Sequence, residues 1–269
     1  MATKNKPQQD EFIKRLLAQS KYLEGDPSKY LFDFGLQQGM LALEVGSCIG
    51  LHSGKVAKAI YPGKLLSMDL DYDYISYQKN YMVESEIEIC PLNGDALSIP
   101  VANARFDFIY SRFLFQHLVN PRKALEETYR VLKVGGRVVV IDTDDYYDTF
   151  YPELPYVTEA YSALARLQEG RCGDRYIGRK LVSLLLETGF KDVAVRVVPT
   201  VQIGMWNKEL VLNDIAPMFR EEYEPLINQG LISKEHLDSA ITAMLDSVYR
   251  TNSFYMGLVF IVCGTKNSY

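Results

Sequence analysis

Three acidic residues stand where a chain of alternating strands and helices would leave its strands: Glu44 in "MLALEVG", Asp69 in "KLLSMDLD" and Asp95 in "LNGDAL". A carboxylate at the end of a second strand, about nineteen residues past Gly50, is placed to accept both hydroxyls of a ribose. Asp95 is suited to accept from an adenine amino group while the Ala96 backbone reads a ring nitrogen. Glu44 precedes the turn "EVGSCIG", in which Gly46 lets the chain leave the strand tightly and Gly50 lets the next helix start close beneath a ligand. A dinucleotide pyrophosphate requires GxGxxG at a helix amino end. The stretch "GSCIGL" does not match that pattern, and Glu44 would oppose a phosphate. It suits a ligand with a positive centre and an α-amino group. The three carboxylates together describe an adenosine ligand that carries a cation.

Further candidates follow the fourth and fifth strands. His117, in "FQHLVNP", is a general-base candidate because an imidazole titrates near neutrality. Its alternative is a histidine that bonds a loop carbonyl. The run "DTDDYYDTFY" brings Asp142, Asp144, Asp145 and Asp148 beside Tyr146 and Tyr147. Such a rim holds an amine, a guanidinium or a hydroxyl-bearing ring, or is simply a solvated acidic loop. Arg112 is placed to hold a substrate carboxylate or to pair with one of these aspartates. His52 is expected to cap or pack the helix after the first turn. His236 reads as an exposed helix residue. The three histidines have no HxH or HExxH spacing and the four cysteines make no CxxC, so no metal site is expected.

The elements that must position these residues are legible in order. Strands are expected at "MLALEVG", "KLLSMDLD", "IEICPLNGD", "RFDFIYSRF" and "RVVVIDTDD", with helices between them. One helix, "PRKALEETYRVLKVGG", is expected to open at Asn120-Pro121 and to stop at its two glycines. This alternation, over about 110 residues, is a parallel α/β sheet covered on both faces. Two more strands, "DVAVRVVPTVQ" and "FYMGLVFIVCGT", frame a mostly helical insert. The chain is expected to divide into an amino-terminal helical cover (1–37), a core (38–204 and 251–269) and the insert (205–250). The insert is expected to act as a lid, with homodimerisation through it or through the amino-terminal helices as the other role.

A formal charge of -5 on 269 residues, with no basic run, argues against a broad grip on nucleic acid. No stretch is long and apolar enough to span a bilayer, and "MATKNKPQQDEF" has no apolar core behind it to make a signal peptide. A reduced, cytoplasmic protein is expected.

The motifs in sequence resemble the core of class I S-adenosylmethionine-dependent methyltransferases, in the small-molecule branch with ubiquinone-biosynthesis-type motifs. "EVGSCIG" is similar to the first motif of that family, with Cys48 at the usual middle glycine. "LLSMDLD" and "NGDALSIP" are similar to the second and third, "FDFIYSRFLFQHL" to the fourth, and "ALEETYRVLKVGGRVVVID" to the helix–GG–strand segment after it. The resemblance covers residues 38–142 and, less closely, the carboxyl-terminal strands. It implies a Rossmann-like, seven-stranded, mostly parallel sheet with an antiparallel last strand. S-adenosyl-L-methionine would be the cofactor, held by Glu44, Gly46, Ser47, Cys48, Gly50, Asp69, Leu70, Asp95, Ala96, Ser111 and Gln116. Tyr22, in "QSKYLEG", would cover or hydrogen-bond the methionine end.

The implied reaction is in-line methyl transfer to an oxygen, nitrogen or carbon nucleophile of a small molecule in specialised metabolism. His117, Asp142 and Tyr22 are the catalytic candidates. Arg112, Asp144, Asp145, Tyr146 and Tyr147 are the candidates for holding the acceptor. An RNA or protein methyltransferase and a non-catalytic partner protein of the same fold are the alternatives. "SRFLFQ" lacks the Asn/Asp-Pro-Pro-aromatic tetrapeptide of exocyclic-amine enzymes.

Overall fold

The computed structural model describes residues 27–85, 89–204 and 211–267, together with Leu16 and Lys208. Apart from Leu16, the expected amino-terminal cover up to residue 26, and Tyr22 with it, lies outside the described residues. The chain divides into two compact units. The first comprises Gly25–Asp144, Cys172–Val198 and Val259–Tyr269, and the described part of the second comprises mainly Asp145–Arg171 and Pro199–Leu258.

In the first unit, β1 (Leu41–Val45), β2 (Lys64–Asp69), β3 (Cys90–Asn93) and β4 (Phe106–Arg112) alternate with α1 (Pro27–Asp33), α2 (Ser53–Ile60) and α3 (Tyr72–Ser85). Helix α4 (Pro121–Val131) leads into β5 (Leu132–Thr143). After α6 (Leu181–Thr188) comes β7 (Lys191–Ile203), and the chain closes with β8 (Phe254–Thr265). β1 pairs in parallel with β2, Val45 opposite Met68, and with β4, Val45 opposite Ser111. β8 runs antiparallel to β5, with Ile141 opposite Ile261. Seven of the eight strands follow the order β3-β2-β1-β4-β5-β8-β6, where β6 is Thr149–Tyr151, and β7 also pairs with β8. This is the mostly parallel sheet with an antiparallel last strand that the sequence implied.

Ala42, Leu43, Glu44 and Val45 are all buried, as a strand covered on both faces requires. Leu43, Ile109, Val138 and Val262 from the sheet pack with Leu125, Leu181 and Leu185 in one core. The strand order turns back beside β1, between β2 and β4. The carboxyl ends of these strands therefore open a crevice where an α/β sheet holds its ligand.

The two glycines expected to stop α4 sit inside β5 instead. Asn120 caps the helix, its side chain accepting from Lys123 N at 3.0 Å. Fully buried Leu132 then draws the chain into the sheet directly after Val131. The register jumps from Phe106 opposite Leu132 to Phe108 opposite Arg137, and Gly135, at φ 80°, forms the bulge. Lys266 Nζ satisfies the end of the helix by donating to Tyr129 O at 2.6 Å and Leu132 O at 2.8 Å.

In the second unit a short strand, β6 (Thr149–Tyr151), pairs antiparallel with the Phe254–Met256 end of β8. Three residues are too few to show an alternation that would mark it in the sequence. α5 (Val157–Gly170), a π-helical turn (Val211–Ile215), α7 (Ala216–Glu221), α8 (Tyr223–Asn228) and α9 (Lys234–Ser247) supply the rest. Val157, Leu164, Phe219, Leu226, Leu237 and Met244 form a separate core. None of the described helices is long and apolar enough to cross a membrane.

Candidate active site

The turn after β1 is tied down at both ends. Gly46 N and Ser47 N both donate to Met68 O, at 2.8 and 3.0 Å. Gly46, Cys48 and Gly50 take φ values of 78°, 51° and 77°, so left-handed backbone recurs at alternate positions. At 46 and 50 glycine adopts it freely. At 48 a side-chain-bearing residue does so against a preference of about 1–2 kcal/mol.

Asp69 closes the turn from β2. Its Oδ2 accepts from Cys48 N at 2.7 Å and its Oδ1 from Asp71 N at 3.0 Å. Burial raises its pKa, and these backbone donors oppose the rise. Asp95 Oδ1 accepts from Leu97 N at 2.8 Å, folding the loop into a side-chain-closed turn that buries Ala96. Asn93 Nδ2 joins the two loops by donating to Asp69 O at 3.1 Å and Leu70 O at 2.9 Å. The Leu70 side chain is exposed. The expected ribose and adenine carboxylates thus share one sheet edge, next to the turn.

Glu44 is buried beneath that turn. Its Oε2 accepts from Ser53 Oγ at 2.5 Å. From there, contacts run through Ser67 Oγ at 3.0 Å to Gln78 Oε1 at 2.7 Å. Desolvation pushes the carboxyl up to about 7, against the lowering influence of Ser53, Tyr110 and Arg112. Arg112 is itself lowered to about 10, chiefly by burial. Its Nη1 meets His52 Nε2 and its guanidinium lies 4.8 Å from the centre of the Phe113 ring. Arg112 therefore turns toward Glu44 and His52. His52 makes no side-chain cap on α2; its ring serves this contact instead.

Ser111 Oγ and Arg112 Nε are buried at the end of β4 with no hydrogen-bond partner among the described residues. Unpaired buried donors cost about 1–3 kcal/mol each and mark places where a ligand completes the structure. A left-handed turn, a buried acid, two loop carboxylates and these unsatisfied groups, all on one edge, fit an adenosine cofactor with a cationic amino-acid end.

The β4–β5 side carries the catalytic candidates. Buried Asp142 accepts from Gln116 N at 3.3 Å and from Thr143 N at 3.0 Å. Gln116 O accepts from Asp174 N at 2.8 Å. These bonds fasten the 3₁₀ turn Phe115–His117, on which His117 is exposed. Asp144 is fully buried and held by Arg179, whose Nε donates to Oδ2 at 2.7 Å and Nη2 to Oδ1 at 2.5 Å. Asp145, Tyr146 and Tyr147 belong to the second unit, where the two exposed tyrosines meet edge to face at 5.4 Å.

Sequence reading missed Ser53, Ser67, Gln78, Asn93 and Arg179. For Gln78 a signal existed: it lies three residues after Ile75 on α3, where the helical repeat calls for an apolar side chain.

The family described as "Methyltransferase domain" matches residues 43–140. A demethylmenaquinone methyltransferase of Oceanobacillus iheyensis is 27% identical over 177 residues, covering 60% of this chain and 74% of that one. An uncharacterized 37.1 kDa protein in transposon TN4556 of Streptomyces fradiae is 32% identical over 168 residues, 61% of this chain. The match spans 45% of that relative's own length. The solved structure of a SAM dependent methyltransferase from Aquifex aeolicus is similar at a TM-score of 0.53 and 26% identity, covering 70% of this chain and 92% of that one. With the sheet order described above, these similarities show a class I methyltransferase fold in which residues 43–140 match a methyltransferase domain, in a chain similar to demethylmenaquinone methyltransferases and to a SAM dependent methyltransferase.

Proposed function

We propose that the protein transfers the methyl group of S-adenosylmethionine to an oxygen, nitrogen or carbon nucleophile of a small molecule in specialised metabolism. The observation that carries this reading is the single sheet edge on which the left-handed turn 46–50, Glu44, Asp69, Asp95 and unsatisfied Ser111 stand together. When bound, the cofactor supplies a methyl group already activated by its sulfonium. The chain's own part is to hold and align.

Glu44 and residues Gly46–Gly50 would hold the methionine end, Asp69 the ribose, and Asp95 with Ala96 the adenine; Leu70, Ser111 and Gln116 would flank them. His117, exposed on its turn, would take the acceptor's proton, and Asp142 would keep that turn in place. Among the candidates for contacting the acceptor are Arg112 in the first unit and, in the second, Asp145, Tyr146 and Tyr147. The reading includes a cytoplasmic location and an acceptor that is not a nucleic acid, in keeping with the charge of -5. Demethylmenaquinone, from the relatives' name, belongs among the first acceptors to assay.

Calorimetric titration with S-adenosylmethionine, S-adenosylhomocysteine and NADH tests the cofactor. Micromolar binding of the first two and none of NADH is expected, and binding of NADH alone would sink the reading. Asp69→Ala removes both a ribose acceptor and the anchor of Cys48 N, so affinity should drop by at least ~30-fold. Full affinity in that variant would overturn the site. His117→Ala should lower kcat by about 10²–10⁴ while leaving S-adenosylhomocysteine affinity unchanged. A kcat within twofold of wild type would remove His117 from the proton transfer.

A further inference from the structure

The turn contains one residue that ought not to be comfortable there. Cys48 sits at φ 51° between two glycines that share its left-handed backbone. Something must hold it, and the structure shows what does.

Gln78 of α3 is completely buried, and its carboxamide is used at both ends. Oε1 accepts from Ser67 Oγ at 2.7 Å, and Nε2 donates to Ser47 Oγ at 2.9 Å and to the carbonyl of Cys48. A carbonyl can only accept, so the nitrogen end must face Cys48 and the orientation of the amide is fixed by chemistry. On the other side of the same residue, Cys48 N donates to Asp69 Oδ2 at 2.7 Å. The peptide groups before and after the Cys48 α-carbon are therefore each anchored, one from β2 and one from α3. Gly50 belongs to the same arrangement: a Cβ there would come within 2.9 Å of Gln78 Cγ. The glycine is what lets the glutamine reach the turn.

We propose that Gln78 is a positioning residue of the cofactor turn, holding Cys48 in the left-handed conformation that a glycine would adopt unaided. Gln78 acts through the Ser47 hydroxyl and the Cys48 carbonyl, to which its Nε2 donates. The consequence for affinity rests on the cofactor reading above, whereas the bracing of the turn does not. A double-mutant cycle of Gln78→Met with Cys48→Gly separates this role from ordinary core packing. A group that only fills the core is missed equally in both backgrounds. A group that restrains Cys48 is missed less when residue 48 needs no restraint.

The test uses the full chain with Gln78→Met, which keeps the side-chain length and removes both amide functions, alone and with Cys48→Gly. With Cys48 in place, Gln78→Met should weaken S-adenosylhomocysteine binding about tenfold, equivalent to about 1.4 kcal/mol. In the Cys48→Gly background the same change should cost less than about threefold. Equal losses in the two backgrounds would overturn the proposal. In ligand-free protein, hydrogen–deuterium exchange at residues 46–50 should quicken about tenfold in Gln78→Met, with the middle of β1 unchanged. Unchanged exchange in the turn would also overturn it. Quickened exchange in a protein that binds no S-adenosylhomocysteine even as wild type would uphold the brace and refute the cofactor reading. Should Gln78→Met not fold, Ser67→Ala removes only the hydroxyl that orients the amide. It should show the same pattern at smaller amplitude; no change in turn exchange there would overturn the brace.

Discussion

Glu44→Gln is expected to unfold at higher urea concentration than the wild type at pH 8 and to bind S-adenosylhomocysteine less tightly. The carboxyl is buried and its pKa is raised from 4.5 to about 7, chiefly by desolvation. A carboxyl whose folded pKa lies above its unfolded value binds its proton more tightly when folded. Its favourable contribution is therefore complete below pH 4.5 and is lost as pH rises through about 7. Above that point the folded protein carries a buried charge that the unfolded chain would hydrate, at a cost of about 3 kcal/mol. Glutamine still accepts from Ser53 but is never charged. The variant should gain about 3 kcal/mol over wild type at pH 8 and under about 1 kcal/mol at pH 5.

Affinity should move the other way. A carboxylate facing the cofactor's ammonium contributes about 1.5–3 kcal/mol as a charge-assisted bond, so its loss weakens binding about tenfold to a hundredfold. For the same reason, wild-type affinity should rise as pH passes through 7, and the variant's should not. A stability gain that is the same at pH 5 and pH 8 would show that Glu44 carries no such burden. A variant more stable yet equally tight in binding would remove Glu44 from the cofactor contacts. The expected combination is a stability cost borne by a functional group.

The burial that would impose this cost is also what makes Glu44 a candidate in the sequence. An acid at the end of a run such as "LALEV" conflicts with its surroundings, and local conflicts mark functional positions. The glycines at 46 and 50 were legible for a related reason, because left-handed backbone leaves a trace in residue type. The strands were legible because a parallel sheet buried on both faces writes itself as short apolar runs. Where a second influence acted, local signals misled. Gly135 and Gly136 looked like a helix stop, but buried Leu132 had already ended the helix, and the glycines serve a bulge.

The struts of the site were not legible. Ser53, Ser67 and Gln78 meet each other and Glu44 only once α2, β2 and α3 are assembled. Their partners lie between 9 and 31 residues away in the chain. A polar residue on an apolar face says that a partner exists and does not say which. The acidic run was opaque for the same reason. Asp142, Asp144 and Asp145 read alike, yet Asp142 fastens the β4 loop, Asp144 is consumed by an arginine 35 residues away, and Asp145 belongs to the other unit.

Arg179→Ala should show how firmly Asp144 is committed to that arginine. Asp144 is fully buried, whereas the Arg179 side chain is about one-third exposed. The guanidinium grips the carboxylate with both Nε and Nη2, and Arg179 N adds a backbone donor at 3.1 Å. Gly178 lets the turn come this close, since a Cβ there would lie 2.6 Å from the Phe260 ring and 3.0 Å from Asp144 Cβ. Removing the guanidinium takes a two-pronged, charge-assisted partner from a fully buried carboxylate, a loss of about 3–5 kcal/mol for a buried pair. With one partner partly in solvent, about 3 kcal/mol is the better expectation.

The reverse change should be milder. Asp144→Asn leaves a neutral amide in place of the buried charge, and Arg179 can turn its exposed face to water, so about half that loss is expected. Arg179→Lys should recover only part of the stability, because an ammonium cannot grip both oxygens in the plane of the carboxylate. Urea unfolding at pH 7 measures all three. If Arg179→Ala costs no more than Asp144→Asn, the carboxylate is reaching solvent or another cation and remains available to an acceptor. If the asymmetry holds, acceptor KM should be insensitive to Asp144→Asn at temperatures where the variant is folded. Recognition of the acceptor would then rest with the other acidic and aromatic residues of the run rather than with Asp144.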